Sequence, residues 1–177
     1  MKTGYVYYDA GRRESGRKTT TGDCIVRAVA KIKNLDYDAA MKVCHAAGWR
    51  LNGEYVNPKN GKRYKKYTPA QAKKMYALLG FTWHAWERAG GSWARIDDVP
   101  NNAIAKVRRH VMAKVDDNIH DSWDSRYSDG RVYEGDEVPA GECLGSGFDD
   151  KGDYKIYKMP RAVYGWYIPV TDSSEGS

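Results

Sequence analysis

Cysteine is scarce in this chain, with three residues, Cys24, Cys44 and Cys143, among 177. Three thiols cannot all pair with one another, and cytoplasmic cysteines stay reduced, so we expect no disulfide framework. Long apolar runs are missing too, because no stretch reaches the roughly 18 apolar residues of a membrane-spanning helix. The first residues also lack the apolar stretch of a secretion signal. These absences predict a cytoplasmic protein with no membrane partner.

Closely spaced metal ligands are also absent. The four histidines and three cysteines form neither of the short Cys-Cys and His-His spacings that are typical of zinc sites. We therefore predict no metal and no cofactor.

The composition is that of an ordinary globular protein. Hydrophobic residues make up 41% of the chain and charged residues 29%, which excludes wholesale disorder. The length predicts one domain over residues 1–170. A flexible tail is expected at residues 171–177.

Acidic residues are missing from one long stretch, between Glu54 and Glu87, where seven lysines and arginines stand alone. The chain as a whole has a net charge of +6. Residues 116–153, in contrast, contain twelve acidic and three basic residues. We therefore expect a basic excursion at about 49–76 and an acidic loop at about 124–153, on two lobes of opposite charge.

The periodicity of apolar residues predicts an α+β fold. Helices are expected to begin near Asp23, near Asp36 and at Thr68, where threonine and the following proline form a typical helix start. Most of the predicted strands come later in the chain. Their ranges are about 5–8, 81–85, 104–115, 119–123 and 161–170. The helices should pack on a C-terminal antiparallel sheet.

Cys24 stands where a polar loop passes into the first helix. Thiols attack as thiolates, and the positive end of a helix dipole favours the anion. Nucleophilic cysteines are therefore often found at helix starts. Asp23 is expected to cap this helix by accepting a backbone N–H.

His110 and the acids that follow it form a predicted β-hairpin. The turn lies at Asp116-Asp117 or at Asp117-Asn118, and either two-residue turn puts odd-numbered residues of the second strand on the face of His110. Asp121 belongs to that set. A turn with an odd number of residues would select Asp124 instead. His110 and Asp121 thus have the arrangement of a general base and the carboxylate that orients it.

An oxyanion formed at the reacting carbonyl would need two donors. The backbone N–H of Cys24 can supply one. The candidates for the second are side chains just upstream, namely Lys18, Thr19 and Thr21.

Three blocks of the sequence carry a family resemblance. Residues 11–16 (GRRESG) with 22–30 (GDCIVRAVA) resemble the opening block of small bacterial and phage proteins that are regarded as papain-like cysteine peptidases. Residues 109–113 (RHVMA) with 119–126 (IHDSWDSR) resemble their second block, and 161–166 (RAVYGW) resembles their closing strand. The glutamine that papains carry upstream of the cysteine is absent here.

This resemblance implies a papain-like fold, with the catalytic cysteine at the start of the first helix. It assigns Cys24, His110 and Asp121 as nucleophile, base and orienting acid. It also implies a cytoplasmic protein of a bacterial cell or a phage-infected host.

Our leading hypothesis is a thiol hydrolase that cleaves an amide or isopeptide bond of a protein or peptide substrate. Transglutamination and deamidation use the same residues and remain open. An inactive inhibitor or adaptor that keeps the fold and docks on a host protein through its charge is the third hypothesis. The second is a nucleic-acid-binding module in which tyrosines alternate with basic residues. Its candidate contacts are Lys62, Arg63, Lys65, Lys66 and Lys73.

Overall fold

The computed structural model describes residues 2–17, 22–86, 93–127, 145–148, 154–157 and 161–171. Three α-helices lie within these ranges: α1 (Cys24–Lys33), α2 (Tyr37–Ala46) and α3 (Pro69–Leu78). The strands are β1 (Gly4–Tyr7), β2 (Tyr55–Val56), β3 (Arg63–Tyr64), β4 (Phe81–Ala85), β5 (Ala103–Val107), β6 (His110–Val115), β7 (Asn118–Asp121), β8 (Gly145–Phe148), β9 (Tyr154–Tyr157) and β10 (Gly165–Pro169). Most of the predicted acidic loop and all but one residue of the predicted tail lie outside these ranges.

Six strands form the main sheet in the order β1-β7-β6-β5-β10-β4. The α+β prediction is confirmed, but the sheet is mixed rather than antiparallel, because β1 runs parallel to β7. A parallel pair needs a long connection between its strands. The three helices lie in that connection, since β1 precedes all of them in the sequence.

One predicted strand proved to be two. The apolar run from Ile104 to Val115 bends at Arg108 and Arg109 and returns as the antiparallel pair β5–β6. Arg109 has a left-handed backbone, with φ at 57°. Arginine is not a typical turn residue, so the sequence contains no turn signal at this point.

Helices α2 and α3 begin as predicted. The carboxylate of Asp36 accepts the backbone N–H of Ala39 at 2.7 Å. Thr68 and Gln71 form a reciprocal capping box, in which each side chain accepts the backbone N–H of the other residue. Such caps satisfy backbone donors that a helix start leaves without partners.

Alternate residues of the central strands divide between two apolar clusters, as the period of a β-strand requires. Val111 and Ala113 of β6 join the cluster that contains the buried stripe of α1. Met112 of β6 and Ile119 of β7 join a smaller cluster with Ile96. The sheet is thus covered on two faces, and α1 lies directly against β6. None of the helices that the structure describes is long and apolar enough to cross a membrane.

Gly165 provides a test of this packing. A Cβ at this position would lie 2.4 Å from the carbonyl oxygen of His84 and 2.6 Å from the Trp83 ring. We expect Gly165→Ala to lower the free energy of unfolding by about 2–3 kcal/mol, the usual cost of forced overpacking. Gly61 also has a positive φ but open space around it, so Gly61→Ala should cost about 1 kcal/mol. Equal losses in chemical denaturation would contradict the packing described here.

Candidate functional site

Cys24 is the first residue of α1, and its side chain is partly exposed. The chain enters this helix through Gly22, whose φ is +95°, a backbone conformation that favours glycine. A Cβ at Gly22 would also come within 3.2 Å of the side-chain oxygen of Asn52. Glycine at this position therefore allows the turn that places the thiol at the helix end.

His110 and Asp121 meet across the β6–β7 hairpin. Val115 pairs with Asn118, so the turn consists of two residues, as the sequence predicted. Both turn residues, Asp116 and Asp117, have left-handed φ angles of 50° and 57°, which match the twist of a tight hairpin. The Nε2 atom of His110 and the Oδ2 atom of Asp121 lie 2.5 Å apart, and both side chains are buried.

Asp124, the alternative acid, pairs with an arginine. Its carboxylate accepts two hydrogen bonds from the Arg126 guanidinium, both at 2.8 Å. The even turn places Asp121, not Asp124, on the His110 side. The choice made from hairpin parity therefore agrees with the geometry.

Besides burial, the groups that act most strongly on the Cys24 thiol are the His110 side chain and the backbone N–H of Val111. Because Nε2 of His110 faces Asp121, the ring nitrogen that remains for the sulfur is Nδ1. Burial alone would raise the pKa of Cys24. His110, the Val111 N–H and the nearby Arg27 charge outweigh burial and lower the pKa of this thiol below its ordinary value.

The pKa of His110 moves in the opposite direction. Burial alone would lower it, but hydrogen bonds to Asp121 and Cys24 and the negative charge of both groups raise the pKa above its ordinary value. A lowered thiol pKa and a raised imidazole pKa widen the pH range in which a thiolate and an imidazolium coexist.

The Asp121 carboxylate is held by four donors. Besides His110, these are the Arg27 guanidinium at 3.0 Å, the Ser122 backbone N–H at 2.7 Å and the Ser125 hydroxyl at 2.7 Å. Burial alone would raise the pKa of Asp121, but His110, Arg27 and Ser125 lower it below its ordinary value. The carboxylate is therefore fixed in its ionised form against the imidazole.

Arg27 connects this acid to a second buried carboxylate. One end of its guanidinium contacts Asp121, and the other contacts Asp23, the residue just before Cys24. Asp23 also accepts hydrogen bonds from Arg12 at 2.8 Å and from the Tyr37 hydroxyl at 2.9 Å. The expected role of Asp23 as a helix cap is wrong, because its side chain makes no capping hydrogen bond.

Arg12 and Arg27 were not identified as site residues from the sequence. A weak signal exists, because Asp23 and Arg27 are spaced i, i+4 on one helix, a spacing that brings side chains together. The sequence contains no sign that this pair is buried.

Trp123 stands opposite His110 at the open end of the hairpin. Their ring centroids lie 5.2 Å apart, and the guanidinium carbon of Arg161 lies 5.0 Å from the centre of the Trp123 ring. The indole therefore lies beside the imidazole.

The predicted oxyanion donors cannot be placed, since Lys18, Thr19 and Thr21 lie outside the described residues. The backbone N–H of Cys24 belongs to the first turn of α1, where a helix offers no internal acceptor. Within the described ranges, this N–H has no hydrogen-bond acceptor.

The basic excursion has exposed charges but few exposed rings. The side chains proposed as nucleic-acid contacts are all exposed: Lys62, Arg63, Lys65, Lys66 and Lys73. Of the accompanying tyrosines, Tyr55 and Tyr76 are buried in the core. Buried rings cannot stack on bases, but Tyr64 and Tyr67 are partly exposed, so nucleic-acid binding by this segment stays a prediction.

In the part of the chain that the structure describes, no group of three or more histidine, cysteine, aspartate or glutamate side chains could hold a metal ion. No family model, curated protein or solved structure matches this chain.

Removing Arg27 tests the buried connection. Arg27→Ala removes the positive charge that pairs with the buried carboxylates of Asp23 and Asp121. We expect it to lower the free energy of unfolding by about 3–5 kcal/mol. Arg17→Ala is the matched control, since Arg17 and Asp38 form an arginine–carboxylate pair whose side chains are 47% and 55% exposed. It should cost less than about 1 kcal/mol. Similar losses in urea denaturation would show that the Arg27 connection contributes little.

The role of Asp121 can be separated from that of Asp124. Asp121→Asn removes the charge that raises the pKa of His110, so the imidazolium supports the Cys24 thiolate less well. We expect alkylation of Cys24 near pH 6 to slow by about tenfold, which corresponds to about one pKa unit. Asp124→Asn should change the rate by less than about twofold. A slower rate in Asp124→Asn alone would reverse the assignment.

Proposed function

We propose that this protein is a papain-like thiol hydrolase that cleaves an amide or isopeptide bond. One observation carries the proposal: His110 acts on the Cys24 thiol at a helix start and lowers its pKa, and Nε2 of the same imidazole lies 2.5 Å from the buried Asp121 carboxylate. A nucleophile, a base and an orienting acid in this order are what amide cleavage through a covalent intermediate requires.

The reaction follows from these contacts. The Cys24 thiolate attacks the substrate carbonyl carbon, and the carbonyl electrons move to oxygen, which the Cys24 backbone N–H stabilises. When the intermediate collapses, the imidazolium of His110 gives its proton to the leaving amine and a thioester remains. Neutral His110 then takes a proton from water as the water attacks the thioester. The acid product leaves, the thiolate is released, and His110 is again an imidazolium.

Asp121 acts through His110. Its carboxylate fixes the ring so that Nδ1 faces the sulfur, and its charge stabilises the imidazolium. The four donors on Asp121 keep it from rotating away. Arg27 keeps the two carboxylates near the site from adding uncompensated negative charge beside the thiolate.

Selective alkylation tests this proposal directly. Iodoacetamide should label Cys24 at a pH below the ordinary thiol pKa of about 8.5, because the Cys24 pKa is lowered. Cys44 is an internal control, since it is fully buried and burial raises its pKa to about 12. Peptide mapping by mass spectrometry should find label on Cys24 in the folded protein and on Cys44 only after unfolding.

The pH profile and two variants complete the test. Activity should rise through the lowered pKa of Cys24 and fall through the raised pKa of His110. Cys24→Ala should abolish hydrolysis, and His110→Ala should lower kcat by about a thousandfold. A folded wild-type protein whose Cys24 never labels would reject the hydrolase and leave the inactive inhibitor or adaptor.

A further inference from the structure

Lys106 lies on β5 directly opposite Val111 of β6. Opposed residues of an antiparallel pair share a face, so the Lys106 side chain lies on the face of Val111, against which α1 packs. The Val111 backbone N–H is one of the groups that lower the pKa of Cys24. Lys106 therefore lies on the strand next to the one that carries Val111. Its charge interacts with that of Cys24.

Lys106 is half-buried, and this burial lowers the pKa of its ammonium. Within the described ranges, no carboxylate, carbonyl or hydroxyl oxygen lies within hydrogen-bond distance of it. Lys114, on the neighbouring strand, shows the usual arrangement, because its buried ammonium donates to the Ile96 carbonyl oxygen at 3.1 Å. A partly desolvated lysine without a partner is unfavourable, so an anion bound from outside the chain would stabilise the Lys106 charge.

Aromatic rings accompany Lys106 on this face of the sheet. Gly165 of β10 is the opposed residue on the other side of Lys106 and contributes no side chain. The partly exposed Trp83 ring lies over Gly165. Cys24, Trp83 and the partly exposed Tyr67 all pack against the same apolar cluster. The face of the sheet that carries the thiol therefore combines one cation with two aromatic rings.

We propose that Lys106 binds a carboxylate of the substrate and directs cleavage to amide bonds next to an acidic group. The carboxylate belongs to a glutamate or aspartate side chain or to the free C-terminus of a peptide. This inference rests on the proposed function, since it names the substrate class of the same site. Lys106 is a specificity-determining residue and takes no part in bond cleavage. Arg161, whose positive charge also reaches Lys106, adds to the attraction of an anion.

Two small reagents test the inference before any substrate is known. Iodoacetate is an anion and iodoacetamide is its neutral analogue, and both alkylate thiolates. In the wild-type protein Lys106 should favour iodoacetate, so Lys106→Met should lower the ratio of the two Cys24 alkylation rates by about five- to tenfold, as expected for one charge at short range. Lys106→Arg should keep the ratio. Lys42→Met, which removes an exposed lysine of α2, is the matched control and should also keep it.

Each outcome separates this inference from the proposed function. A ratio that is the same in Lys106→Met and wild type overturns the role of Lys106 while Cys24 remains a reactive thiol. Equal slowing of both reagents also overturns it, because Lys106 would then act on the thiolate itself. If iodoacetamide does not label Cys24 in the folded protein, the proposed function fails, whatever the ratio.

A peptide library then identifies the source of the carboxylate. Mixed peptides with free or amidated C-termini are digested, and the cleavage sites are read by mass spectrometry. Cleavage beside internal glutamate or aspartate in both sets supports a side-chain carboxylate. Cleavage near the end of free-acid peptides alone supports the C-terminal carboxylate. Sites spread evenly over neutral sequences overturn the proposal.

Discussion

The connection that Arg27 makes between Asp23 and Asp121 is the constraint on which the site depends. These carboxylates are almost fully buried, and a buried charge is tolerated only when it is paired and hydrogen-bonded. Arg27 belongs to the same helix as Cys24, whereas Asp121 belongs to the strand that orients His110. One guanidinium therefore fixes the distance between the helix that carries Cys24 and the strand that carries Asp121. Arg12 and Tyr37 complete the set by holding the far side of Asp23.

This arrangement also determines the electrostatics at the sulfur. Asp23 precedes Cys24 directly, and its negative charge alone would oppose formation of a thiolate. With Arg12 and Arg27 on its two oxygens, that charge is compensated within hydrogen-bond distance. The Cys24 pKa is consequently lowered by His110, the Val111 N–H and the Arg27 charge, which favour the anion against the effect of burial.

The sequence was most informative where periodicity and turn chemistry dominate. The helix starts at Asp36 and Thr68 and the choice of Asp121 over Asp124 follow from local rules for caps and hairpins. The strand break at Arg109 could not be predicted, because no typical turn residue marks it. The parallel pairing of β1 could not be predicted either, because it joins segments that are distant in the sequence. Helix starts favour aspartate as a cap, which is why the sequence predicts this role for Asp23. Two buried arginines instead bind the carboxylate oxygens of Asp23. A single lysine in an apolar strand, such as Lys106, gives no sign in the sequence of what its side chain faces.

The parallel pairing of β1 with β7 affects the order in which the site can form. The backbone of Asp121 accepts hydrogen bonds from the Tyr8 N–H at 2.8 Å and from the Tyr5 hydroxyl at 3.2 Å, and Arg27 and Asp121 are 94 positions apart in the sequence. Contacts between such distant segments form late, because the chain between them must first be ordered. During synthesis on a ribosome, Cys24 emerges long before His110 and Asp121. The nascent chain therefore carries an ordinary, weakly reactive thiol. Its pKa is lowered only when the sheet has formed and has brought His110 beside Cys24.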